Sequence, residues 1–273
     1  MSDSIPNDRV TLSFADGVAD VRLNRPDKMN ALDAAMFDAL IATGESLKTM
    51  RGLRAVVLSG AGRSFCAGLD MGRFQAMADG ADSVASLRLG PRTHGDCNVP
   101  QYAALVWRSL PVPVIAAVHG AALGGGLQIA LGADLRIVAP DAKLGLLEVR
   151  WGIVPDMGAF IVLPELMPAD RIRELAYSGR TVTGTEAVAM GLATRTSDAP
   201  LEAALALARE LAGRNPDAIR ATKSLVAGAY STDRATRLMR ESQAQIAIME
   251  RANQREAVRS QLENRAPRFV DPE

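Results

Sequence analysis

The stretch Ala122-Leu123-Gly124-Gly125-Gly126-Leu127-Gln128 decides how this chain folds. It follows a short apolar run, Val114-Ile115-Ala116-Ala117-Val118, and leads into apolar residues that end at Leu131. This order predicts a buried strand, a glycine turn and a helix. Glycines at a helix N-terminus leave backbone N–H groups free to bind a phosphate or an oxyanion, helped by the helix dipole. The same glycines would also suit tight packing of strand against helix, so the triplet alone leaves both interpretations open.

A second junction of the same kind lies earlier in the chain. The apolar run Ala55-Val56-Val57-Leu58 predicts a buried strand, and Ser59 to Gly68 follows it as a turn rich in small residues. Leu69 and Asp70 then open a helical stretch, where an acidic residue suits the N-terminal position. Two such junctions could each expose a backbone N–H, and two converging donors would make an oxyanion hole.

The composition is that of an ordinary globular protein. Among 273 residues, 31 basic side chains balance 31 acidic ones, and 48% of residues are hydrophobic. A net charge of zero gives no reason to expect nucleic acid or a membrane as a partner. The sequence has no apolar run near the roughly 20 residues of a membrane span, and its polar first ten residues are unlike a signal peptide. We therefore expect a cytoplasmic protein.

The two cysteines, Cys66 and Cys97, are too few for a disulfide framework and suit a reducing compartment. Cys66 lies beside the first junction, where a nucleophilic thiol is conceivable. The chain contains only His94 and His119 as potential bases for it, so a packing role is the favoured interpretation. The shortage of histidine also argues against a metal site.

Alternating strands and helices predict an α/β fold. Residues 9–23 alternate apolar and polar around Asp16-Gly17, which predicts a hairpin, and residues 33–49 have apolar spacing typical of a helix. Residues 79–100 are interrupted by glycine and proline and are either a pocket-lining segment or a surface connection. From residue 201 onward the pattern is helical, with predicted helices at 201–214, 217–230 and 232–262, whose apolar stripes must be buried on the core or on another subunit.

Several segments together resemble the enoyl-CoA hydratase/isomerase (crotonase) superfamily, in the right order and spacing from about residue 8 to 270. They are Asn24 to Leu32, Ser64 to Asp70, His119 to Gly126, Ala133-Asp134 with Arg136, Leu146 to Glu148, Gly152 to Pro155, and Gly179-Arg180 with Ala187 to Leu192. The resemblance implies an α/β fold of the crotonase type, a spiral of repeated ββα units over residues 1–200. It also implies a C-terminal helical region, residues 201–273, that assembles a homotrimer or a dimer of trimers.

Glu148 stands out among the carboxylates because it lies in a largely apolar run, Leu144 to Val149. Such a setting would raise its pKa and suit it to take a proton from carbon next to a thioester carbonyl. Asp156, eight residues later, would by itself be read as a turn residue. The resemblance implies otherwise, since Glu148 and Asp156 match the acid pair of dienoyl-CoA isomerases.

Gln128 is a departure from the family pattern. The resemblance places the second catalytic glutamate of hydratases, and a further acid of dienoyl-CoA isomerases, at this position. Glutamine can orient water or substrate but cannot act as a carboxylate base. This difference puts simple hydration in doubt and favours an isomerase.

The substrate implied by the resemblance is an acyl-CoA thioester, and coenzyme A is then part of the substrate, so no separate cofactor is expected. The N–H groups of Leu69 and Gly125 would form the oxyanion hole. Other contacts implied by the resemblance are Lys28 near the phosphates or ribose, a run along the pantetheine, and an aromatic side chain reaching a neighbouring subunit's CoA. The residues concerned are Lys28, Ala67, Leu69, Asp70, Met71, Gly72, Gly125 and Phe269. For Lys28 a solvated surface lysine is an equal alternative, and for Phe269 a loose tail is.

Three functions remain open at this stage. The leading hypothesis is an isomerase that shifts a double bond in an unsaturated acyl-CoA, with Glu148 as principal base and Asp156 as second proton carrier. The second is an enoyl-CoA hydratase that recruits water through Glu148 and Gln128. The third is a non-catalytic binder of CoA thioesters that has lost one acid.

Overall fold

The computed structural model describes residues 8–81, 88–230 and 232–272. The strands are β1 (Val10–Ala15), β2 (Val18–Leu23), β3 (Ala55–Gly60), β4 (Val114–Val118), β5 (Ala121–Leu123), β6 (Leu135–Val138), β7 (Lys143–Gly145), β8 (Val182–Thr183) and β9 (Arg195–Thr196). The helices are α1 (Ala34–Lys48), α2 (Met71–Ala78), α3 (Val99–Leu105), α4 (Gly125–Leu131), α5 (Ala159–Leu166), α6 (Ala169–Ser178), α7 (Gly184–Met190), α8 (Pro200–Ala212), α9 (Pro216–Ala227), α10 (Arg234–Ile248) and α11 (Ala252–Leu262). Short 3-10 helices span Pro26–Lys28 and Glu148–Trp151.

The strands form two sheets within these residues. The larger has the order β1-β2-β3-β4-β6-β9, and the smaller has the order β5-β7-β8. Only β1 and β2 pair antiparallel in the larger sheet, while β2, β3, β4, β6 and β9 pair in parallel through helical crossovers. Successive units β4-β5-α4 and β6-β7-α5 each place their first strand in the large sheet and their second in the small one. The α/β fold with repeated ββα units is therefore confirmed.

The β1–β2 hairpin shows how local sequence sets the register. Asp16 and Gly17 both have positive φ, 51° and 79°, which is the conformation of a two-residue type I′ turn. Ala15 therefore pairs with Val18, and Val10 pairs with Leu23 at the far end. The predicted hairpin is confirmed.

The central strands are buried on both faces because helices cover both sides of the large sheet. In β3, Val56 and Leu58 face the main core, while Ala55 and Val57 pack with Ala204 and other residues of α8 on the opposite side. This alternation follows from the two-residue period of a strand. The predicted buried strand at residues 55–58 and its neighbour at 114–118 are both confirmed, and they place their carboxyl ends at the same edge of the sheet.

The C-terminal helices differ from prediction at one point. The helical stretch predicted at 232–262 divides into α10 and α11, because Glu250 takes a left-handed conformation with φ of 64°. α8 packs on the sheet, and α9 is held by Lys223, whose Nζ donates to the carbonyl of Val112 and to Asp134 Oδ2 at 2.8 and 2.7 Å. Large apolar side chains remain exposed on α10 and α11, namely Leu238, Met239, Ile246, Val258 and Leu262. The division at residue 200 and a role of these helices in assembly stay predictions.

Candidate active site

The two glycine-rich junctions lie side by side at the carboxyl ends of β3 and β4. The N–H of Phe65 donates to His119 O at 2.9 Å, and that of Cys66 donates to Ala121 O at 2.9 Å. In return, the N–H of Leu123 donates to Cys66 O at 3.0 Å. These bonds join the loop after β3 to the segment that enters α4, so the two turns predicted from sequence are neighbours in space.

Glycine is required where the two turns meet. Gly68 has φ of +90°, and a Cβ there would lie 2.6 Å from Leu123 O and 3.7 Å from the nitrogen of Gly125. A Cβ at Gly126 would lie 2.3 Å from Cys66 O. Gly124 adopts φ 52° with ψ −123°, a region essentially restricted to glycine. Close packing and exposure of N–H groups were alternatives at the sequence level, and the structure shows that the same glycines serve both.

Two backbone N–H groups remain available at this meeting point. Leu32 pairs with the residues on either side of Leu69, because its N–H donates to Gly68 O at 2.8 Å and its carbonyl accepts from Asp70 N at 3.1 Å. The N–H of Leu69 therefore points away from Leu32. Gly125 opens α4, where an N–H has no partner within its own helix. In the described part of the chain neither N–H donates a hydrogen bond.

Glu148 begins the 3-10 helix Glu148–Trp151 and lies against Gly124, the residue before the Gly125 donor. It is buried, and its Oε1 accepts from Gln128 Nε2 at 2.8 Å. A Cβ on Gly124 would come within 3.4 Å of the same oxygen. The other oxygen, Oε2, is buried and has no hydrogen-bond partner among the described residues. Burial raises the pKa of Glu148, and the charge of Asp156 adds to this; the backbone N–H of Glu148 itself, the bond from Gln128 and the backbone N–H of Leu147 oppose it. The elevated pKa expected from its apolar sequence setting is borne out in direction.

Gln128 has both polar atoms occupied. Its Oε1 accepts from the N–H of Met157 at 2.8 Å and from that of Ala159 at 3.4 Å. Because backbone N–H groups can only donate, the amide oxygen must face them and the NH₂ group must face Glu148. The amide oxygen is fully engaged, so only the second N–H of Nε2 is left to orient water, as the hydratase hypothesis requires.

Asp156 is half-buried and immediately precedes Met157, which bonds to Gln128. Burial raises the pKa of Asp156, and its charge in turn raises the pKa of Glu148. The structure thus brings Gln128, Glu148 and Asp156 into one cluster, as the resemblance implied. Two carboxylates with elevated pKa values beside unused N–H donors are an arrangement suited to moving protons on carbon.

The predicted contacts with CoA lie along the chain that leads to the Leu69 donor. Asp70 caps α2 by accepting from Gly72 N at 2.8 Å, and it forms an ion pair with Arg25. Burial works to raise the pKa of Asp70, but the Gly72 N–H, Arg25 and Lys28 together hold it below its ordinary value. Lys28 is exposed and Met71 is 62% exposed. Asp70 therefore has a clear role as a helix cap, whereas contact of these residues with CoA stays a prediction.

Phe269 is not brought to the site of its own chain. The tail beside it is fixed by Asp271, which accepts from Gly52 N at 2.9 Å and pairs with Arg54 at 2.7 Å. Gly52 and Arg54 precede β3, whereas the loop that carries the Leu69 donor follows the opposite end of that strand, at Gly60. The expected reach of Phe269 toward a neighbouring subunit stays a prediction.

Cys66 is a packing residue, as favoured from sequence. It is fully buried, its Sγ donates to Asn30 O at 3.1 Å, and burial raises the pKa of its thiol to about 12. A thiol in this state is not a nucleophile at neutral pH. Over the described ranges, 8–81, 88–230 and 232–272, no group of three or more His, Cys, Asp or Glu side chains is placed to hold a metal ion.

Two residues that organise the site, Asn30 and Arg25, received no role from the sequence. Asn30 is buried, and its Nδ2 donates to the carbonyls of Ala61, Ser64 and Phe65 at 2.9, 2.8 and 3.1 Å. Its Oδ1 accepts from Arg25 N at 2.8 Å, while the Arg25 side chain holds Asp70. Asn30 thereby clamps the loop that carries the first donor. Its place in the Asn24–Leu32 motif was a signal that could have identified it.

The segment 79–100 is only partly described, because residues 82–87 lie outside the described ranges. Asn98 starts α3 with a capping box that includes Gln101. The role of residues 79–100 in lining an acyl pocket stays a prediction.

The rings of Phe74 and Trp151 stack with their centroids 4.0 Å apart and join α2 to the 3-10 helix of Glu148.

Comparison with known proteins agrees with this geometry. The model of the family described as "Enoyl-CoA hydratase/isomerase" matches residues 13–272. The chain belongs to the enoyl-CoA hydratase/isomerase family. A crystal structure of an enoyl-CoA hydratase from Bacillus anthracis superposes with a TM-score of 0.85 at 29% identity, covering 96% of this chain and 98% of that one. The crotonase-type fold implied by the resemblance is therefore confirmed.

Relatives within the enoyl-CoA hydratase/isomerase family carry different names. The mitochondrial enoyl-CoA hydratase domain-containing protein 2 of Homo sapiens is 32% identical over 261 residues, 93% of this chain and 86% of the relative. The mitochondrial Delta(3,5)-Delta(2,4)-dienoyl-CoA isomerase of Homo sapiens is 34% identical over 212 residues, 76% of this chain and 64% of the relative. Identities this similar show the family and leave the reaction to be argued from the site. None of the described helices is long and apolar enough to cross a membrane.

Proposed function

We propose that this enzyme isomerises a double bond in an unsaturated acyl-CoA. The observation that carries the proposal is the buried, unpartnered Oε2 of Glu148. The carboxyl group that carries it packs against Gly124, the residue before Gly125, whose N–H is unused like that of Leu69. A buried carboxylate oxygen without a hydrogen bond is rare and unfavourable unless a ligand or a reaction uses it. Here a reacting C–H group would fill that place.

The chemistry follows from these positions. The thioester oxygen would accept hydrogen bonds from Leu69 and Gly125, which stabilise the charge that develops on it. Glu148 would remove a proton from the carbon next to the thioester carbonyl, and the electron pair would pass into the enolate. A carboxylic acid, Glu148 itself or Asp156, would return a proton to the far carbon of the conjugated system. One proton leaves, one is added, and the double bond moves with no net change in composition.

Asp156 supports the dienoyl form of this reaction, since burial raises its pKa and so favours its protonated form. A 3,5-dienoyl-CoA needs its proton returned further from the thioester than a 3-enoyl-CoA does. A second carboxyl group beside Glu148 would provide that reach.

Hydration is the alternative, favoured by the names of the hydratase relatives. It requires two groups to act on one water molecule. Gln128 is no carboxylate, and an amide cannot take a proton from the water molecule. A non-catalytic binder is the second alternative, and the unpartnered Oε2 of Glu148 disfavours it.

The test compares purified protein on 2-enoyl-, 3-enoyl- and 3,5-dienoyl-CoA of several chain lengths. We expect isomerisation of a 3-enoyl or 3,5-dienoyl substrate to exceed hydration of 2-enoyl-CoA. Glu148→Gln should lower isomerisation at least on the order of 100-fold, the low end for loss of a general base. Hydration as the faster reaction, or near wild-type isomerisation by Glu148→Gln, would refute the proposal.

Asp156→Asn separates one-carboxylate from two-carboxylate chemistry. We expect this variant to lose turnover of 3,5-dienoyl-CoA more than turnover of 3-enoyl-CoA. Asp170→Asn, which changes an exposed carboxylate on α6, is the matched control and should keep full activity. If Asp156→Asn keeps full activity on both substrates, Glu148 acts alone.

We further propose that the enzyme assembles as a homotrimer or a dimer of trimers. The exposed apolar side chains of α10 and α11, among them Ile246 at 74% and Leu262 at 83% exposure, support burial against another subunit. Light scattering should give three or six times the 28.9 kDa of one chain. A stable monomer at micromolar concentration would contradict this assembly.

A further inference from the structure

The side-chain amide of Gln128 is held from both ends. Its oxygen accepts from the N–H groups of Met157 and Ala159, and its nitrogen donates to Glu148 Oε1. Gln128 is 2% exposed and belongs to α4, the helix that also carries the Gly125 donor. The amide therefore cannot rotate without leaving a buried N–H or carboxylate oxygen unpaired, which is unfavourable.

The consequence for Glu148 is an asymmetric carboxylate. Oε1 is engaged by Gln128, while Oε2 is buried without a partner. A free carboxylate could present either oxygen, but this one has a single oxygen left without a hydrogen bond. Fixing one oxygen in position removes a rotational degree of freedom that would otherwise slow proton transfer.

We infer that Gln128 is a positioning residue that sets Oε2 of Glu148 as the single proton-exchanging oxygen. The inference rests on the proposed function and deepens it, since it assigns the choice of the reacting carboxylate oxygen to one buried amide. Gln128 itself does not touch the reacting atoms.

The charged surroundings of Glu148 are simple enough to test this by titration. The charge of Asp156 reaches Glu148, and α4 (GGLQIAL) contains no titratable residue. The titratable side chains of α6, which packs against the 3-10 helix, are all exposed to solvent. They are Asp170, Arg171, Arg173, Glu174 and Tyr177. Arg150, on the 3-10 helix of Glu148 itself, is also exposed. The backbone N–H groups of Glu148 and Leu147 oppose the effect of burial together with Gln128, and of these contacts only the bond from Gln128 can be removed by a side-chain substitution.

Gln128→Met removes the hydrogen bonds of the Gln128 amide, which we call the Gln128 clamp, with little change in side-chain shape. We expect kcat to fall about 10- to 100-fold, the effect of losing one hydrogen bond to a charged group, while the KM for acyl-CoA stays within a few-fold. The acidic limb of the pH–rate profile should move to higher pH, because the bond that opposes the raised pKa of Glu148 is gone. Gln243→Met, on the exposed surface of α10, is the control and should change none of these quantities.

Gln128→Glu is a second variant for the case that Gln128→Met does not fold. It should fold, since one carboxylate oxygen can still accept from the N–H groups of Met157 and Ala159. Its other oxygen would face Glu148 Oε1, and two carboxylates at that distance share a proton. The acidic limb should again move to higher pH. If Gln128 only supported the fold, its substitution would lower activity in proportion to the loss of folded protein, and the acidic limb of the pH–rate profile would stay at the same pH. That result would overturn the inference.

A measurement without turnover separates this inference from the proposed function. Glutamate labelled with ¹³C at its carboxyl carbon allows the pKa of Glu148 to be followed by NMR, and the signal that disappears in Glu148→Gln assigns it. The pKa should be higher in Gln128→Met than in wild type. If wild type isomerises no enoyl-CoA but the pKa of Glu148 is higher in Gln128→Met than in wild type, the proposed reaction is refuted and the positioning role of Gln128 is supported. If the pKa is the same in both proteins, the clamp is refuted whatever the reaction.

Discussion

Gly68→Ala tests whether the two backbone donors work as a pair. Gly68 precedes the donor residue Leu69, and Leu123 lies two residues before the donor Gly125. A Cβ at Gly68 would lie 2.6 Å from Leu123 O, whereas a relaxed carbon–oxygen contact is about 3.3–3.6 Å. The two turns must therefore separate by roughly 0.7–1.0 Å. The substitution drives apart the two segments that the proposed oxyanion site holds together.

The expected effects differ for stability and activity. The φ of +90° at Gly68 adds roughly 1–3 kcal/mol of backbone strain for alanine, and the steric contact adds about 1–3 kcal/mol. The free energy of unfolding should fall by about 2–6 kcal/mol if the terms add. Catalysis should fall on the order of 100-fold, as expected for a 1 Å misplacement or for the loss of one donor.

Gly52→Ala is the matched control. Gly52 has φ of +75°, and a Cβ there would meet only Phe14 Cζ at an ordinary 3.7 Å. This glycine lies before β3, at the end opposite to the site. Urea unfolding and kcat/KM on the preferred substrate are measured for both variants at a temperature where both are folded. Gly52→Ala should lose stability only. A folded Gly68→Ala with activity within a few-fold of wild type would refute the donor-pair reasoning.

Three further predictions concern stability and reactivity. Burial raises the pKa of Glu148 above its ordinary 4.5, so its stabilising contribution is fully present below that value and lost as pH rises through the raised pKa. Glu148→Gln should thus be more resistant to urea than wild type at neutral pH. A difference in free energy of unfolding between the two proteins that widens toward acidic pH would contradict this. A thiol reagent should modify Cys97 but leave the buried Cys66 unreacted until the protein unfolds, as mass spectrometry would show; native labelling of Cys66 would refute its burial. Lys223→Met should lower the free energy of unfolding by about 1–3 kcal/mol, since it leaves Asp134 without its cation, and unchanged stability would show that α9 is held by other contacts.

The large sheet could be predicted from the sequence because each of its main strands carries a local signal. β3 and β4 are continuous apolar runs bounded by glycine or proline, and the hairpin is set by Asp16-Gly17. The small sheet could not be predicted in this way. β5, β7 and β8 contain three, three and two residues, which is too short for any periodicity. Their pairing is decided by how the segments pack after the large sheet forms.

The break between α10 and α11 shows a second kind of limit. Glu250 adopts a left-handed conformation, which is uncommon for a residue other than glycine or asparagine. No glycine or proline marks the position, so local propensity favours one continuous helix. Long-range contacts select the break: Asn253 of α11 bonds to Val270 and Asp217.

In the site, residue types were readable but their connections were not. The apolar setting of Glu148 predicted its burial, and both glycine turns were visible as places for free N–H groups. The clamp on Gln128 was hidden, since it depends on backbone N–H groups 29 and 31 residues away along the chain. The Asn24–Leu32 motif marked Asn30 as a candidate, but its three hydrogen bonds could not be predicted, because their acceptors lie in the loop after β3.

The unpartnered Oε2 of Glu148 bears on whether the site is catalytic at all. A site that only bound CoA thioesters through Leu69 and Gly125 would need N–H donors but no carboxylate. Burying Glu148 with one oxygen unpaired lowers the stability of the folded chain, and an apolar side chain of similar size would avoid that loss. The chain instead packs Glu148 against Gly124 and binds one of its oxygens through Gln128, which leaves the other oxygen free. Unfavourable burial that packing does not require, next to donors that are also unused, is most simply explained by a reaction that uses both.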